Sequence, residues 1–179
     1  VPGRETYREE YECPDHQVAI HLIIKTLAGE SHGVVKDMSQ ISAVGHRVVH
    51  GGEKFTCSIQ INDAVLDAIK DVQHLAPLHN PPNISGIEAA KAVLPDVPHI
   101  AIFDTAFHQT MPKHAYTYPL PMEWYEKYGV RRYGFHGTSH LYVSKRAAVM
   151  LGKDPRDCNI ITMHIGNGVS HCAIQGGVS

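Results

Sequence analysis

The sequence of 179 residues contains no apolar stretch long enough to cross a membrane. Runs such as residues 18–24 are interrupted by His21. They fall well short of the roughly 20 apolar residues that a membrane-spanning helix needs. We therefore expect no association with a membrane.

Closely spaced cysteine pairs are also missing. The four cysteines lie far apart and never form a Cys-x-x-Cys pair: Cys13, Cys57, Cys158 and Cys172. That spacing disfavours both a zinc knuckle and a dithiol redox motif. Isolated cysteines are typical of proteins kept reduced, so we expect a cytoplasmic location.

Charge of one sign is not in excess either. The formal net charge is -2, and the basic residues are scattered along the chain, which disfavours a nucleic-acid-binding surface. Apolar residues make up 43% of the sequence and charged residues 19%, a balance typical of globular proteins. The length suits one well-buried domain, with or without the start of a second.

What the sequence does contain is an alternation of predicted strands and helices, which favours an α/β architecture. Helices are predicted after the capping residues Asp15 and Asn62, over residues 84–94, and from a Thr138 or Ser139 cap to a stop at Gly152. Strands are predicted at residues 41–50 and 99–103, and a hairpin at 159–163 and around 172–174. Residues 1–14 are predicted to be a loop or a weak edge strand, and the proline-rich segment 75–83 is predicted to be a rigid loop.

Polar residues stand at the ends of these elements, where α/β proteins gather their chemistry. They are Arg47, His79, Asp104 and His136. The forked guanidinium of Arg47 suits a carboxylate or a phosphate, whereas Asp104 by itself could equally be a helix cap. With Val49, Leu78 and Phe135 as an apolar wall, these residues predict a site for a small anion with a short hydrocarbon tail.

The segment Arg131–His140 concentrates cations, aromatics, hydroxyls and two imidazoles. Glycines on each side of Phe135 and His136 permit a tight backbone conformation. His136 and His140 have helical spacing, but no His-Glu-x-x-His pattern accompanies them, so a zinc site is disfavoured. Imidazoles beside arginine are better suited to the oxygens of a transferring phosphoryl group.

The turn at residues 166–168 reads Gly-Asn-Gly. Such a turn lets backbone amides face phosphate oxygens. Most Asn-Gly turns, however, simply close a hairpin, so both readings stay open on the residues alone.

Five segments resemble the acetate kinase family, in order and with matching spacing: Gly45–Glu53, Leu75–Asn83, Phe103–Pro112, Arg131–His140 and His164–Gly168. The resemblance covers the chain from about Asp15 onward, and the residues of these segments are most similar to those of archaeal members. It implies the ribonuclease H-like α/β fold of the acetate and sugar kinase, heat-shock and actin superfamily, incomplete in this chain. It also implies reversible, direct in-line phosphoryl transfer from ATP to acetate, giving acetyl phosphate and ADP.

The resemblance also implies roles for individual residues. Arg47 would bind the substrate carboxylate, and Val49, Leu78 and Phe135 would form the pocket for its methyl group. Asp104 would position the substrate and Arg47. His136 would stabilise the transferring phosphoryl group, with His79 beside it. The nucleotide phosphates would contact His164, Ile165, Gly166, Asn167 and Gly168.

Departures from the family pattern indicate a piece of a longer kinase. The family's Asn-x-Gly-Ser-Ser-Ser-x-Lys phosphate loop has no counterpart in the sequence. Its second catalytic arginine, adenosine pocket and metal-holding glutamate would lie beyond Ser179. We expect residues 1–155 to be most of the N-terminal acetate-binding domain, without its first strands, and residues 156–179 to be the first hairpin of the nucleotide-binding domain.

This division implies further expectations. The chain by itself is expected to be inactive, with Mg²⁺ held by ligands outside it, and the full-length protein is expected to be a homodimer. Val169 and His171 also depart from the small residue and the β-branched apolar residue that the family prefers at the end of the nucleotide loop. The alternatives are a propionate kinase, a carboxylate-binding fragment without kinase activity, and a histidine-metal hydrolase.

Overall fold

The computed structural model describes residue 3 and residues 5–179. Within these, residues 5–14 form neither helix nor strand, which confirms the predicted loop over that range. The remainder of the predicted loop at residues 1, 2 and 4 lies outside the described residues. No helix of the described part is long and apolar enough to cross a membrane.

A three-stranded sheet with strand order β1-β3-β2 forms the centre of the fold. It consists of β1 (Val44–Val48), β2 (Ile59–Gln60) and β3 (His99–Phe103). Strands β1 and β3 are parallel, with Val48 opposite Phe103. Their carboxyl ends therefore lie at the same edge of the sheet, where functional residues of α/β proteins collect. The antiparallel strand β2 was not predicted, because two residues are too few to show an alternation of apolar and polar residues.

Two helices connect the parallel strands: α2 (Asp63–Asp71) and α3 (Asn80–Val93). Their apolar faces cover the sheet and complete the core, in which Val48, Ile69 and Ile87 are fully buried and the rings of Phe55 and Phe103 stack at 4.6 Å. This crossover is the connection that parallel strands require. It holds the carboxyl ends of β1 and β3 in fixed register.

The predicted caps are confirmed at two helices and wrong at a third. Asp15 accepts a hydrogen bond from the Val18 amide at the start of α1 (His16–Leu27), and Asn62 accepts one from the Val65 amide at the start of α2. Helix α6 (Gly137–Met150) instead follows His136, which has left-handed dihedral angles and makes no side-chain cap. Neither Thr138 nor Ser139 is the cap, because the first helical residue is Gly137. The predicted stop at Gly152 is confirmed by its positive φ of 66°.

The proline-rich segment 75–83 is only partly a loop, which corrects the sequence-based prediction. Helix α3 begins at Asn80, so Pro81 and Pro82 lie in its first turn. Proline is tolerated there because the first amides of a helix have no intrahelical acceptor. Two further helices, α4 (Lys113–Tyr116) and α5 (Met122–Tyr128), lie between β3 and α6, where the sequence analysis predicts no helix.

The predicted hairpin is confirmed as β4 (Asn159–Ile165) and β5 (Val169–Gln175). Both strands are longer than predicted, so His164 and Ile165 belong to β4 and only residues 166–168 form the turn. The hairpin packs against α6. It thereby comes close to the residues at the start of that helix.

The buried His50 gives the fold a predicted sensitivity to acid. Burial, followed by the charges of His74 and Arg131, lowers the pKa of His50 to about 4. A histidine with a lowered pKa adds stability that is complete above the unfolded value near 6.5 and is lost as the pH falls towards 4. We expect the free energy of unfolding of the full-length protein to fall over this range, with His50 contributing up to about 1.4 kcal/mol per pH unit.

Denaturant unfolding between pH 7.5 and 4.5 measures this contribution. His50→Asn keeps an acceptor near the position of Nδ1, which accepts a hydrogen bond from the Gly52 amide, and it should make the pH dependence shallower. His21→Asn on α1 is the matched control at an exposed position. Equal slopes for wild type and H50N would contradict this account.

Candidate functional site

The parallel ends of β1 and β3 bring Arg47 and Asp104 into a forked ion pair. Nε of Arg47 donates to both carboxylate oxygens of Asp104, at 3.1 and 3.2 Å, and Nη2 donates to Oδ2 at 2.6 Å. The Asp104 side chain is only 2% exposed, whereas the Arg47 side chain is 63% exposed. The hydrogen bond to Asp104 raises the pKa of Arg47 against the opposing effect of partial burial. The guanidinium is therefore bound to a buried carboxylate on one side and exposed to solvent on the other.

Arg47 keeps enough donors to bind a second anion. A guanidinium has five N–H groups, and the pair with Asp104 engages Nε and one proton of Nη2. Both protons of Nη1 and one of Nη2 have no protein partner among the described residues, and they have the fork geometry that suits a carboxylate or a phosphate. Asp104 thus orients Arg47 without saturating it.

A sharp backbone corner brings His136 to this pair. Gly134 has a φ of 75° and His136 a φ of 56°, and the Gly137 amide donates to the backbone oxygen of Asp104 at 2.9 Å. A Cβ on Gly137 would overlap that oxygen and lie 3.0 Å from the Cβ of Phe107. Glycine at position 137 is therefore required for the start of α6 to approach the end of β3.

Gly137→Ala should for this reason damage both folding and activity. We expect a lower melting temperature for the full-length protein and a turnover loss of roughly 100-fold, the size that a shift of about 1 Å in a site can cause. Gly86→Ala within α3 is the matched control, because a Cβ there meets nothing within 4 Å and alanine favours helix. Thermal melting and turnover measured on both variants test this requirement, and G137A with wild-type values would refute it.

A cavity of about 660 Å³ opens beside the ion pair. The residues that line it come from β1, β3, the start of α6 and β4, and they are Gly45, Arg47, Ile102, Asp104, His136, Thr138, Ser139, Tyr142 and His164. The cavity thus combines a cation with free donors, imidazoles, hydroxyls and apolar surface. This composition suits a small anionic ligand.

The two imidazoles in the cavity lie against each other. The rings of His136 and His164 stack at 4.3 Å with an angle of 8° between their planes. Nδ1 of His136 is hydrogen-bonded to Ser170 at 2.8 Å, and Nδ1 of His164 to Ser139 at 2.9 Å. Burial, followed by the neighbouring His164, lowers the pKa of His136. His136 is therefore favoured in its neutral form, with Nδ1 already engaged.

The other predicted substrate residues do not line this cavity. Val49 is buried, and its amide donates to Asn83. Leu78 is 82% exposed, and His79 precedes α3 as an exposed residue. The ring of Phe135 is 5.9 Å from that of His50. The methyl pocket of Val49, Leu78 and Phe135, with His79 beside it, stays a prediction.

The predicted nucleotide residues are divided between the cavity and the turn. His164 lines the cavity, while Ile165, Gly166, Asn167 and Gly168 are exposed at the end of the hairpin. The turn is closed by the Gly166 amide donating to the Gly168 oxygen at 2.9 Å. Its contact with a nucleotide also stays a prediction.

Sequence reasoning missed several residues at the site. Tyr142 and Thr138 line the cavity, and Ser170 and Thr162 lie behind it, bonded to His136 and His140. The helical spacing of His136 and His140 was visible in the sequence, but nothing indicated that β4 and β5 would supply their partners. Among the described residues no group of three or more His, Cys, Asp or Glu could hold a metal ion.

The whole chain is similar in sequence to proteins of one family. The model of the Acetokinase family matches residues 1–179. The acetate kinase of Geobacter metallireducens is 82% identical over 179 residues, which are 100% of this chain and 42% of that protein. The chain thus spans about two fifths of the length of the curated relatives it matches.

Solved structures give the same result for the fold. The crystal structure of Porphyromonas gingivalis acetate kinase matches 99% of this chain and 44% of that chain, with a TM-score of 0.91 and 48% identity. A propionate kinase from Francisella tularensis matches 90% of this chain and 40% of that chain, with a TM-score of 0.83 and 42% identity. The predicted ribonuclease H-like α/β fold, present in part, is confirmed by these matches.

Proposed function

Because this chain belongs to the acetokinase family, we propose that it supplies the carboxylate-binding and phosphoryl-facing part of an acetate kinase. The full-length protein would transfer a phosphoryl group reversibly between ATP and acetate, giving acetyl phosphate and ADP. One observation carries the proposal: an arginine with free donors, its buried carboxylate partner and a neutral imidazole line the same cavity.

The carboxylate would bind to Arg47. The three N–H groups that Asp104 leaves free hold the acetate oxygens, and the fixed guanidinium directs one of them towards the incoming phosphorus. Asp104 acts through this orientation, since its three hydrogen bonds from Arg47 prevent rotation of the guanidinium. The arrangement lowers the barrier by positioning, which is the main contribution of a protein to phosphoryl transfer.

His136 would face the transferring phosphoryl group. In an in-line transfer, negative charge is spread over three equatorial oxygens, and a hydrogen-bond donor beside them stabilises the transition state. Because Nδ1 of His136 is engaged by Ser170, Nε2 is the nitrogen available for that contact. The stacked His164 holds the ring in place from one side.

Nucleotide and metal would be held mainly by other parts of the protein. The exposed Gly166–Gly168 turn offers backbone amides to phosphates. Mg²⁺ would neutralise charge between nucleotide and substrate, but it does not fit a site made by this chain alone. Among the described residues lining the cavity, Asp104 is the single carboxylate, and it is paired with Arg47. We propose residues 1–155 as the acetate-binding domain and 156–179 as the first hairpin of the nucleotide-binding domain of a cytoplasmic homodimer.

A propionate kinase is the second candidate. The Francisella tularensis structure that matches this chain carries that name. A cavity of about 660 Å³ has room for one more methylene, and a methylene changes discrimination by only about 10-fold to 200-fold. Acetate is favoured by the higher identity of the acetate kinases.

The intact mass of the native gene product, together with formation of acyl phosphate from ATP and Mg²⁺, tests the proposal. We expect a mass more than twice that of this chain, because the chain is 42% of its relatives. We also expect acetyl phosphate in greater yield than propionyl phosphate, and none without a carboxylate. A full-length protein that forms no acyl phosphate would refute the proposed kinase activity. A product of 179 residues without activity would favour a carboxylate-binding protein.

A further inference from the structure

Behind His136, on the side away from the cavity, a row of imidazoles and hydroxyls connects α6 to both strands of the hairpin. Ser170 on β5 lies 2.8 Å from Nδ1 of His136 and 3.0 Å from Nε2 of His140. Nδ1 of His140 lies 2.7 Å from the hydroxyl of Thr162 on β4. We call these four residues, Thr162, His140, Ser170 and His136, the relay.

The relay is built into the fold. His136 directly precedes α6, His140 lies in its first turn, and both rings reach the hydroxyl of Ser170. Thr162 is opposite Cys172, and His164 is opposite Ser170, so Thr162 and Ser170 share the hairpin face that meets the helix. His140 is 1% exposed and Thr162 is 4% exposed. Because buried polar groups are paired within the protein, His140 and Thr162 depend on these contacts for their hydrogen bonds.

Three arrangements of protons make every hydrogen bond of the relay. In the first, Thr162 donates to Nδ1 of His140, Nε2 of His140 donates to Ser170, and Ser170 donates to Nδ1 of His136. The proton of neutral His136 is then on Nε2. In the second, every bond is reversed, and Nε2 of His136 presents a lone pair. In the third, Nδ1 of His136 and Nε2 of His140 both donate to the Ser170 oxygen, which has two lone pairs, while Thr162 donates to Nδ1 of His140. Nε2 of His136 again presents a lone pair.

We infer that Ser170, His140 and Thr162 are positioning residues that hold neutral His136 with its proton on Nε2, directed at a transferring phosphoryl group. This inference rests on the proposed function, because phosphoryl oxygens are acceptors and only the first arrangement gives them a donor. Two further observations agree with a neutral relay. Burial and the neighbouring His164 lower the pKa of His136. Burial and the neighbouring His108 lower the pKa of His140.

Two readouts on the full-length protein test the relay. Long-range ¹H–¹⁵N spectra of the histidine-labelled protein identify the protonated nitrogen of His136, with His136→Gln to assign its signals. Steady-state kinetics measure turnover of acetate. In Ser170→Ala we expect mixed protonation of His136 and a kcat lower by about 10-fold, the size of one lost hydrogen bond, with KM for acetate nearly unchanged. Ser170→Thr keeps the hydroxyl and should restore both readouts.

Thr162→Val tests the far end of the relay, at a buried residue that does not line the cavity. It keeps the side-chain shape, and it should alter the protonation of His140 and lower kcat by about threefold, less than S170A does. The matched control is Ser144→Ala, which removes a buried hydroxyl of α6 that bonds only to the Leu141 oxygen among the described residues. We expect S144A to keep wild-type spectra and kcat.

Three results would decide the matter. A proton on Nδ1 of His136 in the wild type would overturn the inference, and so would S170A with the wild-type tautomer and kcat. If the wild type formed no acyl phosphate, the proposed function would fail. The spectra would then still support the relay if Nε2–H were present in the wild type and lost in S170A.

Discussion

Replacing Arg47 by alanine is expected to lower kcat/KM for acetate by roughly 1000-fold in the full-length protein. The reason is that Arg47 is the one arginine or lysine lining the cavity within the described residues, and its three free N–H groups are the strongest donors available to a carboxylate. The loss should be mainly in KM for acetate, with KM for ATP nearly unchanged. Steady-state kinetics with each substrate varied in turn measure this.

Two further variants make the Arg47 prediction specific. Arg47→Lys keeps the charge but loses the fork that engages Asp104 and ligand together, so it should recover only part of the lost activity. Arg146→Ala removes an exposed arginine of α6 outside the cavity and should change kcat/KM by less than about twofold. R47A with a wild-type KM for acetate would show that the carboxylate binds elsewhere.

Replacing Asp104 by asparagine should lower kcat by roughly 100-fold to 1000-fold. The carboxylate is 2% exposed and accepts three hydrogen bonds from Arg47. An amide of the same shape has a single oxygen to accept them, and its NH₂ group repels a guanidinium. Arg47 would therefore lose its fixed orientation while staying solvated at 63% exposure. We expect turnover to fall while the melting temperature stays close to the wild-type value.

The double variant tests whether Arg47 and Asp104 act as a unit. If Asp104 acts through Arg47, the combination of D104N with R47A should cost little more than R47A alone, because residues that act together are strongly non-additive. Asp67→Asn on α2 is the control for loss of an exposed carboxylate and should leave kcat unchanged. Losses that multiply fully in the double variant would contradict the coupling.

Local signals in the sequence predicted much of the fold. Asp15 and Asn62 are capping residues before helical patterns, and both form the expected bonds. The short apolar strand predicted at 99–103 matches β3, and the hairpin was recognisable by its glycine turn. The strand predicted at 41–50 contains β1 but is longer than it. The errors arose where tertiary contact decides. His136 starts α6 in a left-handed conformation because Gly137 must approach the end of β3, and no local pattern contains that contact.

The candidate site was predictable in its strongest members and not in its surroundings. Arg47 and Asp104 end neighbouring parallel strands, so an α/β reading brings them together, as the ion pair confirms. Ser170 and Thr162 could not be predicted, since their role depends on the face of the hairpin that meets α6. Tyr142 lines the cavity from one turn into that helix, where a sequence offers no distinction between cavity and solvent.

We propose that the cavity beside Arg47 binds the substrate carboxylate, and calorimetric titration of acetate into the full-length protein measures this binding. We predict saturable binding at one site per chain in the wild type and in R146A, and no detectable binding in R47A over the same concentrations. Equal affinity in R47A and the wild type would contradict the account, because the carboxylate would then bind without the one guanidinium that this cavity provides among the described residues.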